Sequence, residues 1–514
     1  MAAAGATTAG SAADAGPEPK LHRGMITVTV MLASILQALD NTIANVALPR
    51  MQGSLSATQD QMTWVLTSYI VAAAIMTPLS GWIADQIGRK RLFLMSVIGF
   101  TIASGLCGVA QTLDQIVFFR LLQGVCGASL IPISQAVLFD INPPEHHGRA
   151  MSIWGIGVVL GPTLGPVLGG WLTDNYSWRW VFYINLPFGV MALLGILAFF
   201  PKSRLNRRRF DFFGFAALSI AVGTLQLMLD RGQLVDWFSA REIQIYAVVF
   251  GLSLYLFIVH TLTVDHPFIR LSMYKDRNFA TGNVFIFVVG IVLFATLALL
   301  PPMLQELMGY SVLQAGIVTA PRGAGTLIAM LIVGRMMGRF DARLIIGVGF
   351  VLTAISLWQM THFSMLMDMS PVIWSGMVQG LGTGIVYVPM AAMAFATLDP
   401  MLRNEGTSLF NLMRNIGSSI GISMVQALFV RNTQTLHSTL GEHVTPFSLA
   451  AQHVSPHQTH ALVALNAQVT AQASMIAYLD DFQLMLVLTV CTIPLLLLVR
   501  KPRRSGDTPH VAME

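Results

Sequence analysis

Charge is scarce in this chain. Lysine, arginine, aspartate and glutamate supply 11% of its 514 residues, where soluble domains carry about 25%. Hydrophobic residues make up 54%, and the mean hydropathy is +0.65. A soluble globular enzyme is excluded, and an all-α polytopic membrane protein is indicated. Cysteine is also scarce: Cys107, Cys126 and Cys491 all fall in apolar runs. They form neither a disulfide framework nor a metal-ligand spacing. No P-loop is present, so ATP is not the expected energy source. No Ser/His/Asp pattern and no cofactor motif appears, so neither catalysis nor a cofactor is expected. The first residues, rich in Ala, Gly, Ser and Thr with Pro17 and Pro19, lack the apolar core of a signal peptide. Residues 1–23 read as a disordered cytoplasmic tail.

What is abundant is long apolar runs. Bounded by charges or Pro/Gly turns, they are expected at 24–48, 62–84, 92–112, 115–138, 151–173, 181–200, 212–229, 243–263, 279–301, 313–334, 343–362, 371–397, 407–430 and 483–499, which makes fourteen. With the N-terminus inside, the inner segments hold 22 of the 30 Lys and Arg, the outer loops 5 and the spans 3. That one-sided bias puts both termini in the cytoplasm. It also accounts for the pI near 9.2 without nucleic acid. The densest basic cluster, Lys202 to Arg209, lies at the inner face and reads as topogenic and lipid-facing.

The chain repeats itself. Arg120-Leu-Leu-Gln-Gly124 has a weak echo in Gly376-Met-Val-Gln-Gly380, at an offset of 256. Gly81 to Arg91 has a degraded echo in Gly334 to Arg343, Gly161 and Gly165 are answered by Gly417 and Gly421, and Leu48-Pro49 by Leu300-Pro301. Offsets so close together indicate a duplicated six-span unit. The expected organisation is a bundle over 24–200, a linker with two inserted helices over 201–270, a second bundle over 271–500 carrying a long outer loop at 431–482, and a cytoplasmic tail at 501–514. Two parallel halves around a midplane cavity is a secondary-transporter architecture.

Asp40 is the only acid in the first run and lies well inside it. A carboxyl group there costs about 2.5–3.5 kcal/mol on insertion scales. Such a residue handles protons or substrate, or else serves as a polar anchor to a neighbouring helix. Arg120, in the fourth run, lies at a similar depth, roughly 9–12 Å below the outer surface at about 1.5 Å per residue. Equal depth lets the two pair, as a permanent bridge or a switchable one. Gln123, one turn along, could hydrogen-bond substrate or satisfy a backbone carbonyl. Gly161, Gly165 and Gly169 recur every fourth residue and so share a face that admits close helix approach; Pro162 and Pro166 bend that run.

Several of these segments resemble one family. Gly81-Trp-Ile-Ala-Asp-Gln-Ile-Gly-Arg-Lys-Arg91 is similar to the cytoplasmic loop signature of the major facilitator superfamily. Leu39-Asp-Asn-Thr-Ile-Ala-Asn-Val-Ala-Leu-Pro49 resembles the first-span signature of its 14-span drug:proton antiporters, and Gly161-Pro-Thr-Leu-Gly-Pro-Val-Leu-Gly-Gly170 their fifth-span antiporter motif. Trp178 to Pro187 and Leu229 to Trp237 resemble the EmrB type, and Asn41 departs from the small or hydroxyl residue that follows the acid in many relatives. The resemblance covers roughly residues 25–500. It implies the major facilitator fold with two inserted helices, and proton-driven export of hydrophobic or cationic drugs. It ties Asp40 and Arg120 to proton coupling, and the motif Gly161, Pro162, Gly165, Pro166, Gly169 and Gly170 to a bendable seal. It makes Gly81, Asp85, Gly88, Arg89, Lys90 and Arg91 an inner-face latch or a topology anchor. In Gram-negative cells the EmrB type sits in the inner membrane and works with an EmrA-like periplasmic adaptor and an outer-membrane channel.

Arg322, Arg414 and Glu306 are further candidates for substrate contact or gating. Arg414 lies in Asn411 to Gly417, which resembles a family signature, and Glu306 reads equally as a solvated acid at the outer mouth. In the outer loop, His453, His457 and His460 have helical spacing interrupted by Pro456, with no Cys or carboxylate beside them. An amphipathic flap that docks a partner is the better reading than a metal site. Two alternatives to a multidrug exporter stay open: a dedicated exporter of one metabolite or siderophore, and a membrane receptor that does not transport.

Overall fold

The protein is described by a computed structural model over residues 22–143, 146–200, 205, 209–337, 339–443 and 459–499. Expectations about the N- and C-terminal tails, most of the basic cluster between Lys202 and Arg208, and His453 and His457 fall outside the described residues. The described chain is helical. Its helices are α1 (Arg23–Leu55), α2 (Gln59–Ile87), α3 (Arg89–Val109), α4 (Leu113–Gly127), α5 (Leu130–Ile141), α6 (His147–Asn175), α7 (Trp180–Tyr183), α8 (Asn185–Phe199), α9 (Phe212–Gly232), α10 (Arg241–Thr263), α11 (Arg277–Pro302), α12 (Val312–Met336), α13 (Ala342–Met360), α14 (Ser370–Ala394), α15 (Arg403–Glu442) and α16 (Thr459–Thr492).

Local chemistry sets their ends. Thr58 and Ser311 open α2 and α12 with reciprocal capping boxes to Gln61 and Gln314. Gly88, at φ 89°, makes the turn between α2 and α3 in a conformation that favours glycine. Buried hydroxyls turn back on their own helices, as Ser34 does to the Val30 carbonyl at 2.9 Å. That bond satisfies a polar group that hydrocarbon would leave unpaired. After Pro301 and Pro302 the ladder widens into a π-helical turn, Met303–Leu307.

Every expected span falls on a helix or a broken helix. Fourteen crossings are not counted on composition, however. Among the described residues twelve helices are long and apolar enough to cross a membrane, or thirteen if the two arms of α6, bent by 43°, are one span. The run at 407–430 does not meet that standard, because α15 buries Asn404, Glu405, Thr407, Ser408 and Asn411. Its polar groups face protein, not lipid.

The helix pairings repeat. α1 packs on α6, α2 on α4, and α3 on α4 and α8; likewise α11 packs on α15, α12 on α14, and α13 on α14 and α16. The two sets meet through α2 and α5 against α15, and α6 against α12 and α14. The inserted pair, α9 and α10, packs together, with α9 also against α2 and α15.

One expectation needs correction. The segment 431–482 is not an open loop: α15 continues to Glu442 and α16 starts at Thr459. Residues 431–442 and 459–482 are helical extensions that hydrogen-bond each other, Asn432 to Asp480 at 3.4 Å and His437 to Asn466 at 3.1 Å. The expectation failed because the polar stretch 431–442 does not read as the continuation of an apolar span, while Ala-rich 459–482 has good helix propensity. His460 lies in α16.

Candidate functional site

Five helices bring their polar residues to one point. α1 supplies Asp40, α4 supplies Arg120 and Gln123, and Asn185 is the first residue of α8. All four are buried, Asp40 at 0% and Arg120 at 1% exposure. Arg120 Nη1 donates to Asp40 Oδ2 at 2.5 Å. Gln123 Nε2 and Asn185 Nδ2 donate to Asp40 Oδ1 at 2.8 and 3.0 Å. The carboxylate therefore accepts three hydrogen bonds. The guanidinium is held equally closely: Nη1 also donates to Gln123 Oε1 at 2.8 Å, and Nε donates to the Val65 carbonyl of α2 at 3.1 Å. Its carbon lies 4.3 Å from the centre of the Tyr69 ring, a cation–π contact that strengthens without water. Asn185 donates also to Ser104 of α3 at 3.0 Å, and Ser104 to the Phe182 carbonyl at 2.9 Å. Depth alone indicated the Asp40–Arg120 pair. Asn185, Tyr69 and Ser104 carry no intramembrane charge and so gave no comparable signal, although Asn185 lies within a segment that resembles the family.

The glycine face of α6 presses against the turn that carries Asp40. A methyl group at Gly161 would lie 2.6 Å from the Leu39 nitrogen, one at Gly165 would lie 2.1 Å from Thr42 Oγ1, and one at Gly169 would lie 2.9 Å from Ile43 Cγ1. Gly170 is looser, with Val46 at 3.9 Å. On its other side α6 meets α12: a methyl group at Gly323 would lie 2.2 Å from Thr163 Oγ1. The bend in α6 falls between Gly165 and Val167, at Pro166, four residues after Pro162. The helix that joins the two sets of packing is therefore bent where it touches the charged turn.

At the inner end of α2 the loop motif reaches the second set. Asp85, buried, accepts from Asn404 Nδ2 at 2.5 Å, and Arg89 Nε donates to Asn404 Oδ1 at 2.6 Å. Arg89 also pairs with Asp140, which Arg403 reaches at 3.2 Å. Ser80 lies 3.1 Å from Ser408, and a methyl group at Gly81 would meet the Asn404 carbonyl at 2.9 Å. Lys90 turns away to the Phe200 carbonyl at 2.9 Å, and Arg91 is exposed. Arg89 is thus the basic residue of the motif that hydrogen-bonds across to Asn404 of α15.

The remaining candidates do not join the Asp40 site. Arg322, on α12, is buried; its Nη2 donates to the Leu293 carbonyl at 3.0 Å, and Nη1 has no partner among the described residues. Arg414 is half-buried and reaches Asn415 at 3.4 Å. Glu306 is exposed on the π-helical turn. Asp481 of α16, buried with no partner for Oδ2 among the described residues, lay in the presumed loop and was missed for that reason. Among the described residues no group of His, Cys, Asp and Glu could hold a metal ion.

Comparison with known proteins agrees with this arrangement. Residues 30–422 match the Major Facilitator Superfamily. The chain is 39% identical over 431 residues to the multidrug export protein EmrB of Escherichia coli K12, covering 83% of this chain and 84% of that one. It is 35% identical to the fatty acid resistance protein FarB of Neisseria gonorrhoeae, covering 94% and 97%. Two solved structures share the fold: the human organic anion transporter MFSD10, with TM-score 0.60 at 15% identity over 92% of this chain and all of that one, and a bacterial homologue of the lysosomal transporter Spinster, with TM-score 0.54 at 16% identity over 94% and all of that one. An all-helical, multi-pass chain with these matches belongs to the Major Facilitator Superfamily, among its EmrB-type drug:proton antiporters.

Proposed function

We propose that this protein exports hydrophobic or cationic drugs across the inner membrane in exchange for protons, and is not an enzyme. The observation that carries the reading is the buried Asp40–Arg120 pair set against the glycine face of α6. A charge pair out of water is stable only while both partners are charged and hydrogen-bonded. Protonation of Asp40 removes the charge that holds Arg120 and turns an acceptor of three bonds into a partial donor. The α1 turn then has a different preferred position. α6 touches that turn through glycine, so it senses the change directly. Gly323 and Thr163 pass the movement to α12, and the second bundle rocks against the first. The Asp85–Asn404–Arg89 network closes the inner face in one of the two arrangements. In this scheme Gln123 positions the pair, and Arg322 and Arg414 line the second bundle.

The distribution of Lys and Arg supports a cytoplasmic position for both termini. The outer projection of α15 and α16 then faces the periplasm. At about 1.5 Å per residue, a helix of 40 residues is roughly 60 Å long, twice the hydrocarbon thickness of about 30 Å. A rigid antiparallel projection suits an EmrA-like adaptor that leads to an outer-membrane channel. The test is dye uptake by everted vesicles energised with a proton gradient. Uptake that collapses with the gradient supports the reading, and indifference to the gradient overturns it. The relative named for fatty acid resistance favours a second reading, export of one class of amphipathic acid; competition of dye uptake by a long-chain acid separates the two.

A further inference from the structure

A cavity of about 370 Å³ lies away from the charged pair, where the inserted helices meet both bundles. Its walls come from four segments of the chain. Trp82 belongs to α2, Arg209 and Asp211 to the approach to α9, Asp265 to Arg270 to the segment after α10, and Met401 to the link between α14 and α15. The floor is aromatic: Trp82 and Phe210 rings are 4.5 Å apart, and Phe268 lies 6.0 Å from Phe210. Met401 on the wall is 63% exposed, and Phe212, next in sequence to the lining residue Asp211, is 74% exposed.

The polar groups divide unequally. Asp211 is fully engaged: it accepts from Gly214 N at 2.9 Å, His260 at 2.8 Å and Phe268 N at 2.9 Å. Burial alone would raise its pKa, but these bonds outweigh burial and hold it below the usual carboxylate range. Arg270 is held by the buried Glu405, which accepts from its backbone N–H at 2.5 Å and lies 3.6 Å from its guanidinium; the Arg270 side chain is still 36% exposed. Arg209, Asp265 and His266 line the cavity and are exposed. The indole N–H of Trp82 is buried and has no partner among the described residues. An orphan donor in a cavity with two arginines is one acceptor short. A lone acid, Asp265, stands on the same wall.

We propose that this cavity binds the headgroup of an inner-leaflet phospholipid that carries a primary amine. The proposal rests on the orientation given above, which puts the N-terminal end of α9 and the C-terminal end of α10 at the inner membrane surface. The phosphate lies between Arg209 and Arg270, within reach of the Trp82 indole. The ammonium donates to Asp265. The acyl chains leave over Phe212 and Met401 into the bilayer. Exposed charges of both signs, Arg209 and Asp265, with Asp211 already saturated, fit a zwitterion better than a purely anionic headgroup. The site takes residues from the first bundle, the insert and the second bundle. A bound lipid therefore favours the arrangement in which these three are together, by its differential affinity for that arrangement.

The test is native mass spectrometry of the full chain, delipidated and titrated separately with phosphatidylethanolamine, phosphatidylcholine and inorganic phosphate, with dye transport recorded in parallel. Retention of phosphatidylethanolamine in preference to phosphatidylcholine is expected, because a quaternary ammonium has no N–H for Asp265. Arg209→Gln, on an exposed segment, should weaken that retention by roughly tenfold, the scale of one charge-assisted hydrogen bond. Trp82→Phe keeps the ring stack and should weaken it by a smaller factor. Asp265→Asn should erase the preference between the two lipids. Equal retention of both lipids, retention unchanged by Arg209→Gln, or binding of inorganic phosphate without lipid would each overturn the proposal. Lipid retention is read without transport, so loss of dye transport with intact lipid binding would count against the antiport reading and leave this one standing.

Discussion

The two bundles are built from one repeated scheme, yet their polar centres differ. The offset of 256 places Gln379 opposite Gln123 and Gly376 opposite Arg120, and Gln379 contacts Thr296 of α11 as Gln123 contacts Asp40 of α1, which makes Thr296 the structural counterpart of Asp40. In the first bundle the three residues form a closed ion pair with its hydrogen bonds satisfied. In the second, Gln379 Nε2 still donates to its counterpart, Thr296, at 3.1 Å, but the acid is gone. The arginine has moved helix: Arg322 of α12 packs beside Gly376, where a methyl group on Gly376 would lie 3.7 Å from its Cβ. Gln379 Oε1 and Arg322 Nη1 are both buried without partners among the described residues. The duplicated framework kept its glutamine contact and lost its titratable group. At this position the first half carries a titratable acid, while the second retains a buried cation and unspent hydrogen-bonding capacity.

The sharpest way to break that comparison is Asp40→Asn. The substitution keeps shape and removes the charge, so Arg120 is left buried and uncompensated. Proton-driven dye uptake in everted vesicles should vanish while the protein remains in the membrane. Stability should fall by about 3–5 kcal/mol, the cost of removing one partner of a buried pair. Arg120→Ala should do comparable damage, and Arg120→Lys should recover part of it, since lysine keeps the charge but loses the planar fork that reaches both Asp40 and Gln123. Gradient-dependent uptake by the Asn variant would show that the coupling acid lies elsewhere, with Asp481 the next residue to examine.

Gly165→Ala tests whether the first centre is read by α6. The added methyl group would overlap Thr42 Oγ1 at 2.1 Å. Overpacking of this kind costs about 1–3 kcal/mol, and transport should drop steeply. Thr42→Ala removes the obstructing oxygen. The double variant should therefore recover most of the lost transport, a coupling that distant sites do not show. Additive damage in the double variant would mean that the glycine serves something other than this contact.

Arg322→Gln probes the other side of the comparison. With no acid to orphan, its effect should be milder than that of Arg120→Ala. Gradient coupling should persist, and the change should appear in which compounds are exported. Uptake of several dyes, with and without the gradient, separates coupling from selectivity. Complete uncoupling by Arg322→Gln would make the two centres equivalent and end the distinction drawn here.

Sequence made some of this visible and hid the rest for physical reasons. The spans were legible because hydrocarbon demands long apolar runs, and Asp40 because a charge inside one stands out. Glycine spacing on α6 gave a face, and equal depth gave the Asp40–Arg120 pair. Asn185 and Tyr69 stayed hidden because neutral polar side chains in a membrane helix are ordinary until a partner is seen. The helical extensions of α15 and α16 stayed hidden because hydropathy reports contact with lipid, and these stretches stand clear of it. Asp481 was lost with them.

The smallest expected effect concerns Asn404, which stands between Asp85 and Arg89 across the bundle interface. Asn404→Ala removes both bonds, and each buried hydrogen bond left unmade costs about 1–3 kcal/mol. Arg89 keeps its pairing with Asp140, which Arg403 also holds, so the face is weakened but not opened. Transport should continue. What should move is the balance between arrangements, by roughly tenfold for each 1.4 kcal/mol lost. A cysteine placed at Ser408, which faces Ser80 across the interface at 3.1 Å, should label several times faster from the inner side in the Asn404→Ala variant, with the exposed Cys491 first replaced to remove background. Asp40→Asn should move that labelling as well, because the charged pair and the inner contacts belong to one two-state element. If Asn404→Ala left labelling unchanged while Asp40→Asn altered it, the inner network would be an anchor for topology, and the charged centre alone would set the conformational balance.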